Sequence, residues 1–517
     1  MKFTKTEIQQ IEEHGLTVET VQQHLSYFQQ SSQNIQLHAP AIIGKGIVQL
    51  SSDDCTKLSQ FYENKTDELA IIKFVPASGA ASRMFKSLYE FLDKYNPKNE
   101  SINSYINRTN SLDLFLFFVT ADKLPFHDEI FEALKQQYPD YKALPLDQRR
   151  YIFAQLLLDN NQFNFGHYPK GLLPFHDYKT HIKTAFEEHL IEASRYACVN
   201  HKSSLHFTVS KAHYQQFLDH FDSIKNIVEK TSQTTFDVSY SFQDPKTDTI
   251  AVSMDNKPFK IKDQLLFRPS GHGALIKNLN ALKAEVIFIK NIDNVVMEPY
   301  LESMVFYKKV LAGLLLELQS KAFEFAEELD GDVISEDRIN SIADFLSKNL
   351  NVYISPEFEK YANHFKVEYL KSRIHRPIRV CGMVQNEGEP GGGPFWIKRE
   401  NGELSLQIVE LSQIDTTSDF QNDIVKSATH FNPVDIVCGV KNYKGEYYDL
   451  EAFVDAKTHF VTVKNKYGER LKTLERPGLW NGGMANWNSV FVEVPLSTFN
   501  PVKKASDLLK AQHQLEP

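Results

Sequence analysis

The chain's 517 residues, 42% hydrophobic and 12% aromatic, are enough to bury a large core in several domains or one heavily elaborated one, which excludes general disorder. Its net charge of -9, from 57 basic and 66 acidic side chains, argues against a sequence-independent grip on nucleic acid, which needs a basic face, so no nucleic-acid partner is expected. The opening MKFTKTEIQQIEEHGLTVET lacks the apolar run of an export signal, VLAGLLLEL near residue 314 is too short to span a bilayer, and Cys55, Cys198, Cys381 and Cys438 are scattered singly. A cytoplasmic protein with no membrane partner and inert cysteines is expected.

Residues 1–66 read mostly as helices, with Ile8, Ile11, Leu16, Val21, Leu25 and Phe28 near helical spacing, and form an N-terminal helical extension. LAIIKFVPASGAASRMFKSLYEFLDKY then reads as an apolar strand, a small-residue loop and a helix with Met84, Leu88, Phe91 and Leu92 on one side, as a βα unit of a parallel sheet begins. Residues 87–165 are largely helical by the spacing in DEIFEALKQQY and DQRRYIFAQLLLD. Strands are predicted at SSLHFTVS, FDVSYSF and AEVIFIKNI, with a helix at KAHYQQFLDHF. A long helical segment covers 297–349. Short, turn-bounded strands follow at RPIRVCGMV, GPFWIKR, LSLQIVEL and HFVTVKN, and EGEPGGGPFWI reads as a flexible hairpin loop. The alternation predicts an α/β fold with a mixed, mostly parallel sheet: a core over 67–375 with helical insertions near 87–165 and 297–349, completed by a strand-rich part over 376–517.

Four segments carry chemistry. In FVPASGAASRMFK, Ser78, Gly79 and Ala80 let backbone N–H groups face an anion near a helix N-terminus, and Arg83 offers two donors to phosphate oxygens; the GxxxxGK[ST] and GxGxxG fingerprints are both missing. In GHYPKGLLPFHDYKTH, Pro169 and Gly171 restrict the backbone around Lys170, a positioned point charge. His167, His176 and His181 match no zinc spacing and read as packing or surface residues. In RPSGHGALIKNL, His272 stands between Gly271 and Gly273, a pattern that makes room for something to approach the backbone. Shortly after it, Asp293 and Asn294 end a strand at the sheet edge where open α/β folds bind ligands, and Asp293 is a candidate Mg²⁺ ligand. The C-terminal set LQIVELSQID, PGLWNGGMANWNSVFVEVP and STFNPVKKASDLL adds Lys503 after a proline-bearing turn.

In this order the segments resemble those of the eukaryotic-type UDP-sugar pyrophosphorylases, the UDP-glucose and UDP-N-acetylhexosamine enzymes. PASGAASRM is similar to the family's phosphate loop ending in an arginine, PKGLLPF to its Pro-Lys segment, and RPSGHGALIKNL to its nucleobase-binding loop. VIFIKNIDNVV resembles the strand whose Asp-Asn pair meets metal and nucleotide, LQIVELSQID the sugar-contacting segment with Glu410, and FNPVKKASDLL the segment of the phosphate-binding lysine. The resemblance implies a GT-A-like (Rossmann-like) nucleotidyltransferase core. Its partners would be a nucleoside triphosphate, UTP in this family, and a sugar 1-phosphate, with Mg²⁺ as cofactor at Asp293. It implies catalytic roles for Arg83, Lys170 and Lys503, nucleotide binding by Ser78, Gly79, Ala80, Gly271, His272, Gly273 and Asn294, and sugar binding by Glu410 and Asn481. Lys86 is a second candidate for the lysine role, and Asp435 or Asn481 for a second metal-side residue. Two other readings stay open, a GT-A-type glycosyltransferase and a degenerate nucleotide-sugar binding protein, and the sugar and the oligomeric state are undetermined.

Overall fold

The computed structural model describes residues 2–29, 34–331, 334–388, 391–466 and 469–515. Two compact units are assembled from interleaved stretches of chain: Met1–Phe74, Ser241–Ile289 and Tyr307–Leu496 form the first, and Val75–Tyr240, Lys290–Phe306 and Ser497–Pro517 the second.

The first unit is built on a largely parallel sheet, as the alternation of strands and helices predicts. Its strands follow the order Ile42–Ile43, Gly46–Val48, Asn488–Glu493, Ile378–Gln385, His430–Gly439, Val286–Lys290, Ile71–Pro76. Ile378–Gln385 runs parallel to Asn488–Glu493 and antiparallel to His430–Gly439. Val286–Lys290 pairs in parallel with Ile71–Pro76, Val286 opposite Ile71 and Ile289 opposite Phe74. The sequence VIFIK is buried at every position, the continuous apolar run of a parallel strand covered on both faces. Phe74, Ile287, Ile289, Met383, Ile436 and Phe491 share one core.

Two smaller antiparallel sheets belong to the same unit. One has the order Leu37–Pro40, Gly392–Lys398, Leu404–Glu410, the other Phe267–Arg268, Thr249–Ser253, Glu469–Glu475, Phe460–Lys466. The N-terminal helices Lys5–Glu13 and Val18–Gln29 bury Ile11, Val21, Leu25 and Phe28 against Ile250, Val252 and Leu474 of the second of these sheets. The helical reading of residues 1–66 therefore misses three short strands between 37 and 48, each only two to four residues long. The hairpin expected at EGEPGGGPFWI is corrected too. Glu389 and Pro390 lie outside the described residues, but Gly392 and Gly393 already pair with Glu410 and Val409 inside a strand that lies between the next strand, Leu404–Glu410, and the distant Leu37–Pro40.

The second unit contains the helical insertion: Lys86–Lys94, Ile102–Thr109, Leu112–Val119, His127–Gln137 and Leu146–Leu158. Their periodic apolar positions, among them Leu88, Phe91, Leu114, Phe117, Ile130 and Leu134, are the buried ones. Helix Ala185–Tyr196 buries polar groups as well, two of them in ion pairs. Glu188 meets His176 at 2.7 Å and Glu192 meets Lys290 at 2.7 Å. The long helix expected over 297–349 divides into Leu301–Asp330 and Glu336–Asn349, the latter started by the Ser335 hydroxyl, which accepts from the Arg338 N–H. Among the described residues no helix is long and apolar enough to cross a membrane. All four cysteines are free, Cys198 half-buried and the other three buried.

Candidate functional site

Because Ile71–Pro76 and Val286–Lys290 run parallel, the chain leaves both strands at the same end, and the segments that follow lie in the second unit. After the first strand, Ala77 is anchored by its N–H to the Thr208 carbonyl at 2.8 Å, while Ser78, Gly79, Ala80, Ser82 and Arg83 are exposed. A Cβ added at Gly79 would meet nothing within 4 Å, so the space over this loop is open and packing does not require the glycine. The helical insertion separates this loop from Lys170 in sequence, yet backbone bonds rejoin them: Lys170 N–H donates to the Gly79 carbonyl at 3.1 Å and Ala81 N–H to Tyr168 at 3.1 Å.

After the second strand, Asp293 is almost buried, its side chain 10% exposed, and receives two ammonium groups. Lys170 Nζ donates to Oδ2 at 2.6 Å, and Lys503 Nζ reaches Oδ2 at 2.9 Å and Oδ1 at 3.2 Å. Burial alone would raise the Asp293 pKa, but the two lysines outweigh it and hold the carboxyl at about 2. For Lys170, burial comes first and lowers its pKa, Asp293 opposes that, and Lys503 adds to it. The C-terminal segment carrying Lys503 is tied down on both sides. Val502 N–H donates to the Asp293 carbonyl at 3.0 Å, and Ala505 N–H to the Met84 carbonyl at 3.2 Å. The Asn294 amide belongs to this tie: its Oδ1 accepts from Asn500 N–H at 2.8 Å and its Nδ2 donates to Thr498 O at 3.5 Å.

Arg83 forms no hydrogen bond or ion pair with another described residue, and it lines a cavity of about 320 Å³ with Lys86, Ser87, Asp113 and Lys504. Lys86 is exposed and stands 3.7 Å from Glu90, and Lys504 pairs with Asp113 at 2.9 Å. Two lysines against one aspartate, with Arg83 beside them, leave an excess of positive charge at the strand ends. Such an excess suits phosphate oxygens.

Asp293 is the candidate metal ligand of this cluster. Among the described residues no three His, Cys, Asp or Glu side chains stand together as an ion cage. Both Asp293 oxygens are engaged by the Lys170 and Lys503 ammoniums, so this carboxylate can take Mg²⁺ only as a single protein ligand, with phosphates and water supplying the others. Asp435, the alternative metal-side residue, is buried in the first unit and paired with Lys308.

The first unit holds the histidine loop. Gly271 has φ +79°, and His272 opens a short turn, His272–Leu275, ahead of the helix Ile276–Asn280. A Cβ at Gly273 would stand 2.1 Å from the Pro477 carbonyl oxygen, so this glycine permits the close approach of the loop Pro477–Met484. The His272 ring stacks on Trp480 with centroids 4.1 Å apart, and its Nδ1 accepts from the Leu479 N–H at 2.9 Å. A backbone N–H only donates, so in the neutral ring the proton sits on Nε2, which lies 3.5 Å from Glu410 Oε1. Asn481 is buried, and neither its Oδ1 nor its Nδ2 has a hydrogen-bond partner among the described residues. This orphaned buried amide presents a donor and an acceptor side by side.

The sequence reading passes over two residues here. Trp480 forms the stacking face for His272. Arg379, fully buried, donates from Nη1 to the Trp480 carbonyl at 2.5 Å and from Nε to Ser489 Oγ at 2.8 Å, holding the loop by its backbone. A single arginine inside the apolar run IRVCGMV was the available signal for Arg379.

A family model described as "Domain of unknown function (DUF4301)" matches residues 4–514. No curated protein matches the chain in sequence. Among solved structures, the chain is similar to a UDP-N-acetylglucosamine pyrophosphorylase from Trypanosoma brucei in complex with an inhibitor, at 11% identity over 98% of this chain and 79% of that one, with a TM-score of 0.49. It is also similar to a UDP-glucose phosphorylase from Trypanosoma brucei, at 12% identity over 98% and 77% of the two chains with a TM-score of 0.45. A mutant UDP-glucose pyrophosphorylase from Leishmania major matches at 11% identity over 98% and 79%, with a TM-score of 0.44.

Proposed function

The chain belongs to the DUF4301 family, and from the chemistry of its own residues we propose that it is a nucleotidyltransferase that joins a nucleoside triphosphate, UTP in the first instance, to a sugar 1-phosphate and releases pyrophosphate. The observation that carries this reading is the convergence of Lys170 and Lys503 on Asp293, beside an open small-residue loop that ends at the unpaired Arg83.

In the reaction, a phosphate oxygen of the sugar 1-phosphate bonds to the α-phosphorus as the bond from that phosphorus to the β-bridging oxygen breaks. No covalent enzyme intermediate and no proton transfer is needed, so the protein's task is positioning and charge stabilisation. The buried Lys170 serves the α-phosphate. Lys503, with a side chain 56% exposed, serves the incoming sugar phosphate, and Arg83 serves the leaving pyrophosphate. Ser78, Gly79 and Ala80 offer backbone to the triphosphate. Asp293 is the residue that would hold Mg²⁺, which would supply further charge neutralisation. In the first unit the glycines are occupied by packing, Gly271 against the Glu475 carboxylate and Gly273 against the Pro477 carbonyl, so they set the turn that carries His272 and do not themselves make room for the base; His272 and Glu410 serve the ribose and sugar hydroxyls, and Asn481 offers its paired donor and acceptor. We assign this activity to the cytoplasm.

The test is purified protein with the common nucleoside triphosphates, Mg²⁺ and a panel of sugar 1-phosphates, read by pyrophosphate release. One pair is expected to turn over, and Arg83→Ala and Lys503→Ala to lower that turnover by roughly 100-fold each. Unchanged turnover in both variants would remove their assignments. Binding of a nucleotide sugar with no release from any pair would replace the transferase with a binding protein.

A further inference from the structure

The first unit also contains a small cavity of about 60 Å³, lined by none of the residues assigned to the transfer chemistry; Ser489, the partner of Arg379, is the one lining residue it shares with the candidate site. Arg373 lies on the helix Asn363–Ile374, Arg376 follows that helix, and Arg399 follows the strand Gly392–Lys398; all three line the cavity. Glu403 is the one acidic side chain among the lining residues, and it pairs with Arg373 at 2.8 Å. Arg399 donates to neutral groups only: Nη1 to Asn486 Oδ1 at 2.8 Å, Nη2 to the Ala485 carbonyl at 2.8 Å and to Ser405 Oγ at 3.2 Å. Arg376 donates from Nε to the Ser372 carbonyl at 2.9 Å and forms no ion pair with a described residue. Inside the cavity three guanidiniums share the single carboxylate of Glu403; outside it Asp455 acts on Arg399, which leaves Arg376 without a carboxylate of its own.

The rest of the wall is also short of partners. Trp487 and Asn488 both line the cavity and are at least 96% buried, yet Trp487 Nε1 and Asn488 Oδ1 have no hydrogen-bond partner among the described residues. Burial, with Arg373 and Arg399 close by, pulls the Arg376 pKa down to about 10, the direction expected of crowded like charges. Sixty cubic ångströms is room for about four water-sized oxygens, since each needs roughly 10–15 Å³.

We propose that this cavity is a binding site for a phosphoryl group, either inorganic phosphate or the phosphate of a small ester, held by Arg373, Arg376 and Arg399. A tetrahedral anion brings the negative charge that three lining guanidiniums and one lining carboxylate lack, its four oxygens fit the volume, and guanidinium forks bind such oxygens in pairs. The site is independent of the transfer chemistry assigned to the second unit.

The experiment is calorimetric titration of the full chain with inorganic phosphate, and separately with glycerol 3-phosphate, in the wild type, Arg376→Gln and Lys503→Ala. The wild type is expected to bind at least one of the two saturably, Arg376→Gln to bind it roughly 10-fold or more weakly, as for loss of one charge-assisted donor, and Lys503→Ala to bind it as the wild type does. Binding of inorganic phosphate alone identifies the free ion as the ligand, and binding of the ester as well identifies an esterified phosphate. No binding of either by the wild type overturns the proposal. So does an affinity lost in Lys503→Ala and kept in Arg376→Gln, which would place the phosphate at the other cluster. Circular dichroism checks the fold of Arg376→Gln. Should that variant not fold, Arg376→Lys replaces it, and an affinity unchanged from wild type in Arg376→Lys counts against the proposal.

Discussion

Asp293 holds two lysines, and the environments of the two differ. Lys170 has a side chain 14% exposed and depends on the carboxylate for its charge, whereas Lys503 is half in solvent. Replacing Asp293 with Asn therefore strands one desolvated ammonium. The expected loss is roughly 3–5 kcal/mol, the range for breaking a buried pair by removing one partner, measured by chemical denaturation at pH 7. Adding Lys170→Met to Asp293→Asn should restore most of that loss, because the pair is then replaced by a neutral contact. An Asp293→Asn midpoint equal to that of the parent would show that the carboxylate does not hold the cluster together. The pH dependence has the sign of a depressed acid: the Asp293 contribution is complete above the unfolded value of about 3.9 and is lost as pH falls toward about 2. Each of these three residues is legible in the sequence as a type in a suggestive setting. Their convergence is not, because the contacts join positions 123 and 210 residues apart, and no local pattern encodes such a separation.

Two loops separate packing from function at the scale of an element. A Cβ on Gly273 would run into the Pro477 carbonyl, so Gly273→Ala must displace the loop that carries Trp480 and Asn481. A destabilisation of roughly 1–3 kcal/mol is expected, the range for overpacking. Gly79→Ala places its methyl in open space and should leave stability within about 0.5 kcal/mol of the parent. If backbone at Gly79 cradles phosphate, the same methyl nevertheless lowers turnover, so a stable but impaired Gly79→Ala is the expected pairing. Full activity there would remove the loop from the binding site. Legibility at this scale follows length and period. The insertion helices from 86 to 158 repeat their apolar positions over several turns, and Val286–Lys290 is one unbroken apolar run. The strands between 37 and 48 are too short to show a period. Gly392 and Gly393 read as a loop because glycines show no apolar period, while their strand is fixed by pairing with Leu404–Glu410 and with the distant Leu37–Pro40. The same applies to Arg379, whose hydrogen-bond partners Trp480 and Ser489 lie about a hundred residues on.

For the whole molecule, buried histidines set the response to acid. Burial lowers His24 to about 4, with Arg476 and His459 adding to it. Burial likewise lowers His206 to about 4 and His513 to about 3, the latter with help from His176, which lies 2.8 Å away. Their unfolded values are near 6.5, so below that pH the unfolded chain takes up protons that the folded chain refuses, and stability falls as pH falls. Glu187 works the other way. Burial raises it to about 7, so the folded chain binds its proton at a pH where the unfolded carboxyl, titrating near 4.5, is still ionised, and stability rises as pH falls through that interval. Three histidine protons against one glutamate proton leave two. At about 1.4 kcal/mol per proton and pH unit, these groups give a slope of up to roughly 3 kcal/mol per pH unit between pH 4.5 and 6.5. Urea unfolding at pH 7, 6 and 5 should show the midpoint falling well before ordinary surface carboxylates titrate. His513→Gln should remove up to about 1.4 kcal/mol per pH unit of that slope, and Glu187→Gln should steepen it by a similar amount. The opposite signs make the pair of variants decisive: if both change the slope in the same direction, burial of neutral histidine is not what governs the acid limb.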